Sequence, residues 1–525
     1  MFIINSGALA GYQSNFNNPY GIGFSLLLLP SIFFKDFLSP FHFSIIINSL
    51  WHGVILLSIV SLAKYKRIPH SLLIGIIISS YPSIWLYGNH AMPEITITLF
   101  ILLMYLLTER YEIHFNQRDL SKFLLLGVFS SILHPRMLSF TPICLLLLFI
   151  TVINKKVSRQ YALKMAMIII SIFVVGFFLK VYTNSLQHIT ELSLNDPYLG
   201  HIELITSNIK KSPVNFFLTL VSAMAGQLLY LAMATLGLSL LGIYNSISML
   251  LSKYRRKIIP YQEIFFISGL IGVLLISGIQ KTCNHLPDQF IFGRYMDVFT
   301  PVLIFLGIYQ LHQFSQKPGK NKFLLICMIL AVTVFLWTLV FLRYEDILAV
   351  IHNRYRFWTI PGLSYCCFIK NSIHFPLFFF VSTSTILVSL LLWKFLKTYY
   401  LYFLLSFYMI ESTLLMIYAY DFYIQPRKRG LAEIHSLANT KLLKKTQCVY
   451  YDFSGKKEWE MYDLGVKLLG TEIRFVDQIN NINISDCNGL LFSTKVYSSK
   501  TVPSKSLLST IHYPNPIYLY QINKE

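Results

Sequence analysis

Charge is what this sequence has least of. Lys, Arg, Asp and Glu together make up 13% of its 525 residues against 55% apolar ones, and the mean hydropathy is +0.57. A soluble chain of this length needs a far more charged surface, so the solvent for most of it is lipid. Acidic residues are scarcest, 24 against 44 basic ones, and none precedes Asp36. The seven cysteines contain no C-x-x-C and stand in no His/Cys cluster, which argues against structural zinc and thioredoxin-like chemistry. Also missing are G-x-x-x-x-G-K-[ST], H-E-x-x-H and a complete G-x-G-x-x-G, so nothing indicates an ATP-driven pump, a zinc protease or a dinucleotide enzyme. D-x-D, common in soluble nucleotide-sugar transferases, is absent too. No metal or cofactor is expected.

What the chain has instead is a series of apolar runs of about 17 to 25 residues, each near the length that crosses about 30 Å of hydrocarbon. About twelve crossings are predicted, beginning with 41–63, 70–87, 94–108 and two short helices within 122–153 broken at His134-Pro135-Arg136. Others follow at 163–182, 227–250, 261–280, 298–314, 322–342, 373–396 and 401–423, with a loop of about thirty residues from Tyr182 to Asn215. A formal charge of +20 does not point to nucleic acid, because Lys and Arg sit in short clusters between spans: Lys64/Lys66/Arg67, Lys155/Lys156 and Lys253 to Lys257. Such clusters are retained in the cytoplasm, and together they place residues 1–40 and the tail from 425 on the other side. The predicted organisation is an extracytoplasmic segment 1–40 with an interfacial helix, a transmembrane bundle 41–424 and a soluble domain 425–525. The amino terminus would then begin outside with no preceding helix, so either a short tail is translocated unaided or a first helix is missing from this chain.

Beyond the basic neck Arg427-Lys428-Arg429 the long apolar runs give way to alternation. Strands are predicted at 447–453, 472–477, 490–496 and 516–522, with an amphipathic helix at 458–469. The fold class is thus an all-α polytopic membrane bundle carrying a small C-terminal α/β domain. Cys448 and Cys487 both lie in this domain, as free thiols or as one disulfide.

Polar groups gather at the outer helix ends. Tyr20 lies in the turn before the apolar stretch LLLLPSIFF, which is too short to span. Asn89, His90 and Glu94 occupy a hairpin turn, where Glu94 also suits the start of a helix electrostatically. His134 and Arg136 fall near membrane depth, where ionisable groups are functional candidates or interfacial anchors. Arg294, Tyr295 and Asp297 precede another outer helix start; an arginine there can fork onto a phosphate, or bridge to Asp297 and only pin the loop.

The blocks NPYGIGFSLLLLP, YPSIWLYGNHAMPE, LHPRMLSFTP and FGRYMDVFTPVLIFLG, in that order and on one side, resemble the GT-C superfamily of integral membrane glycosyltransferases, in the group related to protein mannosyltransferases and the lipid A aminoarabinose transferase. The resemblance implies a sugar donor on a polyprenyl phosphate, a glycan, lipid or protein acceptor outside the cytoplasm, and a bacterial inner membrane setting. It makes Arg294 and Arg136, with Tyr295, candidates for the donor phosphate, and Glu94 and His90 candidates for proton handling. In this superfamily a carboxylate in the first outer loop is the usual catalytic group, and the chain has no counterpart before Asp36. A start beyond that helix, a replacement elsewhere, and a non-catalytic relative all stay open. Two rival functions remain as well: a transporter or flippase of lipid-linked glycans, since a bundle with cavity-facing ions serves either role, and a non-catalytic component of a polysaccharide assembly complex.

Overall fold

The computed structural model describes residues 22–34, 40–89, 92–186, 199–282, 293–316, 322–342, 361–363, 375–396, 399–420, 448–452, 472–476, 489–493, 505–512 and 516–522. The chain divides into two compact units near the end of its last helix, at Leu415–Met416.

The helical unit opens with α1 (Ile22–Leu28), running into a tight turn at Leu29–Phe34. Phe24 and Leu28 are buried while Leu26 and Phe33 are exposed, so the segment shows one face to the protein. The long α2 (Pro40–Tyr65) follows. The crossing expected over 70–87 is instead two helices, α3 (Ser71–Ser79) and α4 (Pro82–Gly88), bent by 60°. Pro82 lacks an N–H and its ring collides with the carbonyl four residues back, which stops α3. The carbonyls freed at the break are taken up by side chains: His52 Nε2 donates to Ser79 O (3.0 Å) and Ser412 Oγ to Ser80 O (2.8 Å). Inside a membrane such carbonyls have no water to turn to.

α5 (Glu94–His114) runs further than the 94–108 expected, and Phe115 ends it in the left-handed region. α6 (Gln117–Leu133), capped by the Asn116 side chain, stops at His134 and gives way to a 3-10 turn, Pro135–Ser139, then α7 (Phe140–Ile153). This is the break expected at His134-Pro135-Arg136. Here His134 Nδ1 accepts from Arg136 N–H (3.2 Å), and Ser131 Oγ donates to Met137 O (2.8 Å). α8 (Arg159–Leu186) is longer than expected, and the anticipated thirty-residue loop contains a helix, α9 (Leu199–Lys211).

One crossing expected over 227–250 is in fact two helices, α10 (Pro213–Ala234) and α11 (Leu238–Arg255). Gly237 at φ +85° separates them, its N–H reaching back to Ala232 O at 2.7 Å, a left-handed helix stop that glycine adopts without penalty. The remaining helices are α12 (Tyr261–Lys281), α13 (Thr300–Gln316) after a short 3-10 turn at Asp297–Phe299, α14 (Lys322–Phe341), α15 (Phe375–Leu396) and α16 (Tyr399–Ala419). α11 and α13 touch backbone to backbone: a Cβ on Gly242 would strike the main chain of Leu303, and one on Gly307 that of Leu238. Small residues allow this approach, which is how apolar helices associate where no hydrophobic drive exists.

Among the described residues eight helices are long and apolar enough to cross a membrane, or nine with the bent pair counted as one span. The chain is an integral, multi-pass membrane protein; the count of twelve is not reached by that measure. α5 falls outside it because it carries charge at both ends. At its far end these charges are neutralised: Glu109 pairs with Lys66, Arg110 with Asp119 (3.6 Å), and Lys253 with both Glu112 (2.6 Å) and Glu263 (2.8 Å). Glu109 to Glu112 lie well along α5 from Glu94, and at about 1.5 Å per residue the ion-paired end is roughly 22 to 27 Å away.

The second unit holds a five-stranded sheet, β1 (Cys448–Asp452), β2 (Glu472–Val476), β3 (Gly489–Ser493), β4 (Lys505–His512) and β5 (Pro516–Ile522), in the order β2-β1-β3-β5-β4. β1 is parallel to β2 and β3, and β5 is antiparallel to β3 and β4. Four strands lie where alternation predicts them. β4 was not foreseen, because the register shifts between Leu507 and Ser509 and such a bulge interrupts the two-residue period. The helix expected at 458–469 and Cys487 lie outside the described residues.

Candidate functional site

The site is built on one tight turn, Gly293 to Asp297. The N–H groups of Met296 and Asp297 both donate to Gly293 O, at 2.8 and 3.0 Å, and Thr300 Oγ1 closes onto Asp297 O at 2.6 Å. Position 293 must be glycine, since a Cβ there would run into the Tyr230 ring. So tight a turn sends the side chains of 294, 295 and 297 to three different partners.

Arg294 reaches Glu94 at the start of α5. Its Nε lies 2.6 Å and a terminal nitrogen 2.5 Å from the same carboxylate oxygen, Oε1. Both side chains are sheltered, at 15% and 3% exposure. The second oxygen of Glu94, Oε2, is buried with no hydrogen-bond partner among the described residues. A terminal nitrogen of the guanidinium also lies 3.4 Å from the Met92 thioether, a weak acceptor, and the group sits over the Tyr87 ring. Asn48 on α2 fixes this corner by donating from Nδ2 to Met92 O (3.3 Å) and Tyr87 O (3.4 Å). The bridge from Arg294 to Asp297, one of the two sequence readings, is thus replaced by one to Glu94.

Asp297 is fully enclosed and held by phenols. Tyr230 on α10 donates toward both oxygens (2.9 and 3.1 Å), Tyr81 toward Oδ1 (3.2 Å) and Tyr87 toward Oδ2 (3.3 Å). A buried carboxylate costs several kcal/mol unless its lone pairs are filled, and here hydroxyls fill them. Tyr230 also accepts from Gly362 N–H at 3.0 Å, so the phenol ties Asp297 to the 361–363 turn. The break at Pro82 matters here, because it sends Tyr81 and Tyr87 toward one carboxylate. With its oxygens engaged, Asp297 positions the turn; it is not offered to a substrate.

Tyr295 is covered by Arg136, whose guanidinium lies over the ring, an arrangement worth about 0.5 to 2 kcal/mol. His134 is buried at 3% exposure, its Nδ1 engaged with the Arg136 backbone, which makes it a cap that orients Arg136. Asn89 is exposed and donates to Trp85 O (2.9 Å), finishing α4 rather than facing the turn. His90 and Tyr20 lie outside the described residues. The structure therefore brings together Glu94, Arg294, Tyr295, Asp297, Arg136 and His134, and leaves Asn89 to one side. It adds Tyr81, Tyr87 and Tyr230, which sequence reasoning missed: Tyr81 has a weak signal in standing before a proline, and Tyr230 has none within its apolar run.

Chemically the turn presents two guanidinium groups and one carboxylate at the same end of the bundle, a set suited to an anionic group and a mobile proton. Among the described residues no three His, Cys, Asp or Glu side chains converge so as to hold a metal ion.

No family model matches the chain, and no curated protein matches it. Among solved structures it is similar to the crystal structure of ArnT from Cupriavidus metallidurans in the apo state, with 10% sequence identity, a TM-score of 0.49, and 99% of this chain and 91% of that chain covered.

Proposed function

We propose that the chain is a GT-C-like membrane glycosyltransferase that moves a sugar from a polyprenyl-phosphate donor to a glycan, lipid or protein acceptor outside the cytoplasm, in a bacterial inner membrane with the C-terminal unit on the outer side. The observation that carries this reading is the convergence of Arg294, Arg136 and Glu94 on the Gly293–Asp297 turn, roughly 22 to 27 Å along α5 from the basic, ion-paired end. Three of the four sequence blocks that resemble the superfamily supply these residues.

In the reaction, an acceptor hydroxyl or amine attacks the anomeric carbon of the donor sugar. The bond from that carbon to the phosphate oxygen breaks, and its electron pair leaves with the polyprenyl phosphate. Arg294 and Arg136 stabilise the charge gathering on the departing phosphate. The proton released by the acceptor passes to a base, for which Glu94 is the first candidate and His90 the second. Asp297 and its three phenols hold the turn so that Arg294 meets the phosphate in fixed geometry.

The test is sugar transfer by the full chain in proteoliposomes, with a panel of labelled polyprenyl-phosphate sugars and envelope extracts as acceptor. Transfer above the empty-vesicle background, lost in Arg294→Ala, is expected. No transfer with any donor would overturn the reading.

A further inference from the structure

We infer that in the donor-free chain Glu94 sits in the seat of the donor's phosphate, and that donor binding is an exchange in which the phosphate displaces the Glu94 carboxylate from Arg294. This rests on the donor reading above and specifies how the site is controlled.

The geometry of the pair leads to it. A guanidinium presents a fork of N–H groups that fits two anionic oxygens side by side. Here two nitrogens of that fork converge on the single oxygen Oε1, at 2.6 and 2.5 Å, while Oε2 is buried without a hydrogen-bond partner among the described residues. The carboxylate therefore meets two nitrogens of Arg294 with a single oxygen. A phosphate brings the same sign of charge with oxygens spaced to take both prongs.

The two roles proposed for these residues also favour the exchange. An arginine paired with a carboxylate stabilises a leaving phosphate less, and a carboxylate paired with a guanidinium is a weaker base for the acceptor's proton. Breaking the pair turns on both at once. It also imposes an order, because Glu94 is 2% exposed and a buried carboxylate stripped of its cation is strongly unfavourable. The carboxylate is released only when phosphate replaces it, and the acceptor's proton is what then compensates it. The pair thus couples donor occupancy to the availability of the base.

Displacement makes a prediction opposite in sign to that of a purely structural pair: removing the competing carboxylate tightens phosphate binding. Binding of undecaprenyl phosphate to the purified full chain in nanodiscs is measured, with inorganic phosphate as a second ligand. Glu94→Gln is expected to bind the lipid about tenfold more tightly, the equivalent of one charge-assisted hydrogen bond. Glu94→Asp, with a shorter carboxylate, gives a smaller gain and serves if the glutamine variant folds poorly. In an Arg294→Ala background the Glu94→Gln gain disappears, since nothing remains to compete for. Unchanged or weaker lipid binding in both Glu94 variants, with wild-type binding intact, overturns the exchange and leaves the donor reading standing. Failure of the wild type to bind the lipid overturns both. A gain for inorganic phosphate alone overturns the assignment to a lipid-borne donor.

Discussion

Removing the Tyr230 hydroxyl should cost more than removing any other phenol around Asp297. In Tyr230→Phe the ring stays and so does its packing against Gly293, but the bond shared between both Asp297 oxygens and the bond accepted from Gly362 N–H vanish, as does the contact with the Tyr81 hydroxyl. A hydrogen bond to a charged group contributes about 1.5 to 3 kcal/mol, and a buried N–H left unpaired costs about 1 to 3 kcal/mol. The expected loss is therefore roughly 2.5 to 6 kcal/mol, against about 1.5 to 3 kcal/mol for Tyr87→Phe, which gives up a single 3.3 Å bond. Unfolding of the purified chain in mixed micelles, followed by far-UV circular dichroism, ranks the two variants under identical conditions. A double-mutant cycle isolates the bond: in an Asp297→Ala background Tyr230→Phe should lose about half its effect, with the orphaned Gly362 N–H accounting for the remainder. If Tyr230→Phe is no worse than Tyr87→Phe, or if the cycle shows no coupling, the phenol cage does not hold the turn as described.

Gly293→Ala should destabilise the same turn by about 1 to 3 kcal/mol through overpacking against Tyr230, read in the same unfolding assay. Lys253→Met leaves Glu112 and Glu263 as uncompensated, largely buried carboxylates and should cost about 3 to 5 kcal/mol, while transfer per folded molecule stays at the wild-type level because the site lies at the other end of α5. Sidedness is checked by placing single cysteines in a cysteine-free background: an impermeant maleimide added to intact cells should label Asn89→Cys and should reach Lys155→Cys only after permeabilisation. The reverse pattern would invert the orientation. Arg136→Gln should weaken undecaprenyl phosphate binding several-fold while Tyr295→Phe, which keeps the ring that supports the guanidinium, should change it little.

The long apolar helices were legible in the sequence because lipid imposes a length and a composition that few other settings share. Breaks were legible where proline lies among polar neighbours, as at His134-Pro135-Arg136. They were hidden where proline sits within an apolar run, as at Tyr81-Pro82, or where a glycine stop such as Gly237 looks like one more small residue. Hydropathy also merges helices that meet end to end, which is why α10 and α11 read as one crossing. For the site, charged residues in scarce supply drew notice to Glu94, Arg136, Arg294 and Asp297. Their pairing was not legible, since Glu94 and Arg294 are 200 positions apart and nothing local distinguishes that partner from Asp297, three residues away. The tyrosines escaped because a phenol in an apolar helix is ordinarily read as part of the core, and only the three-dimensional arrangement shows three of them meeting one carboxylate.

The contact of Gly242 and Gly307 with facing main chain has a bearing on how the molecule can be altered. Main chain resting on main chain leaves no rotamer to absorb an error, so α13 is seated against its neighbour with almost no slack. Thr300, where that helix begins, is seven residues or about 10 Å along the axis from Gly307, and the arginine turn is joined directly to it. One methyl group added at Gly307 would act as a shim, tilting the helix and carrying the guanidinium out of register with whatever it must grip, although no atom of the reacting centre had been changed.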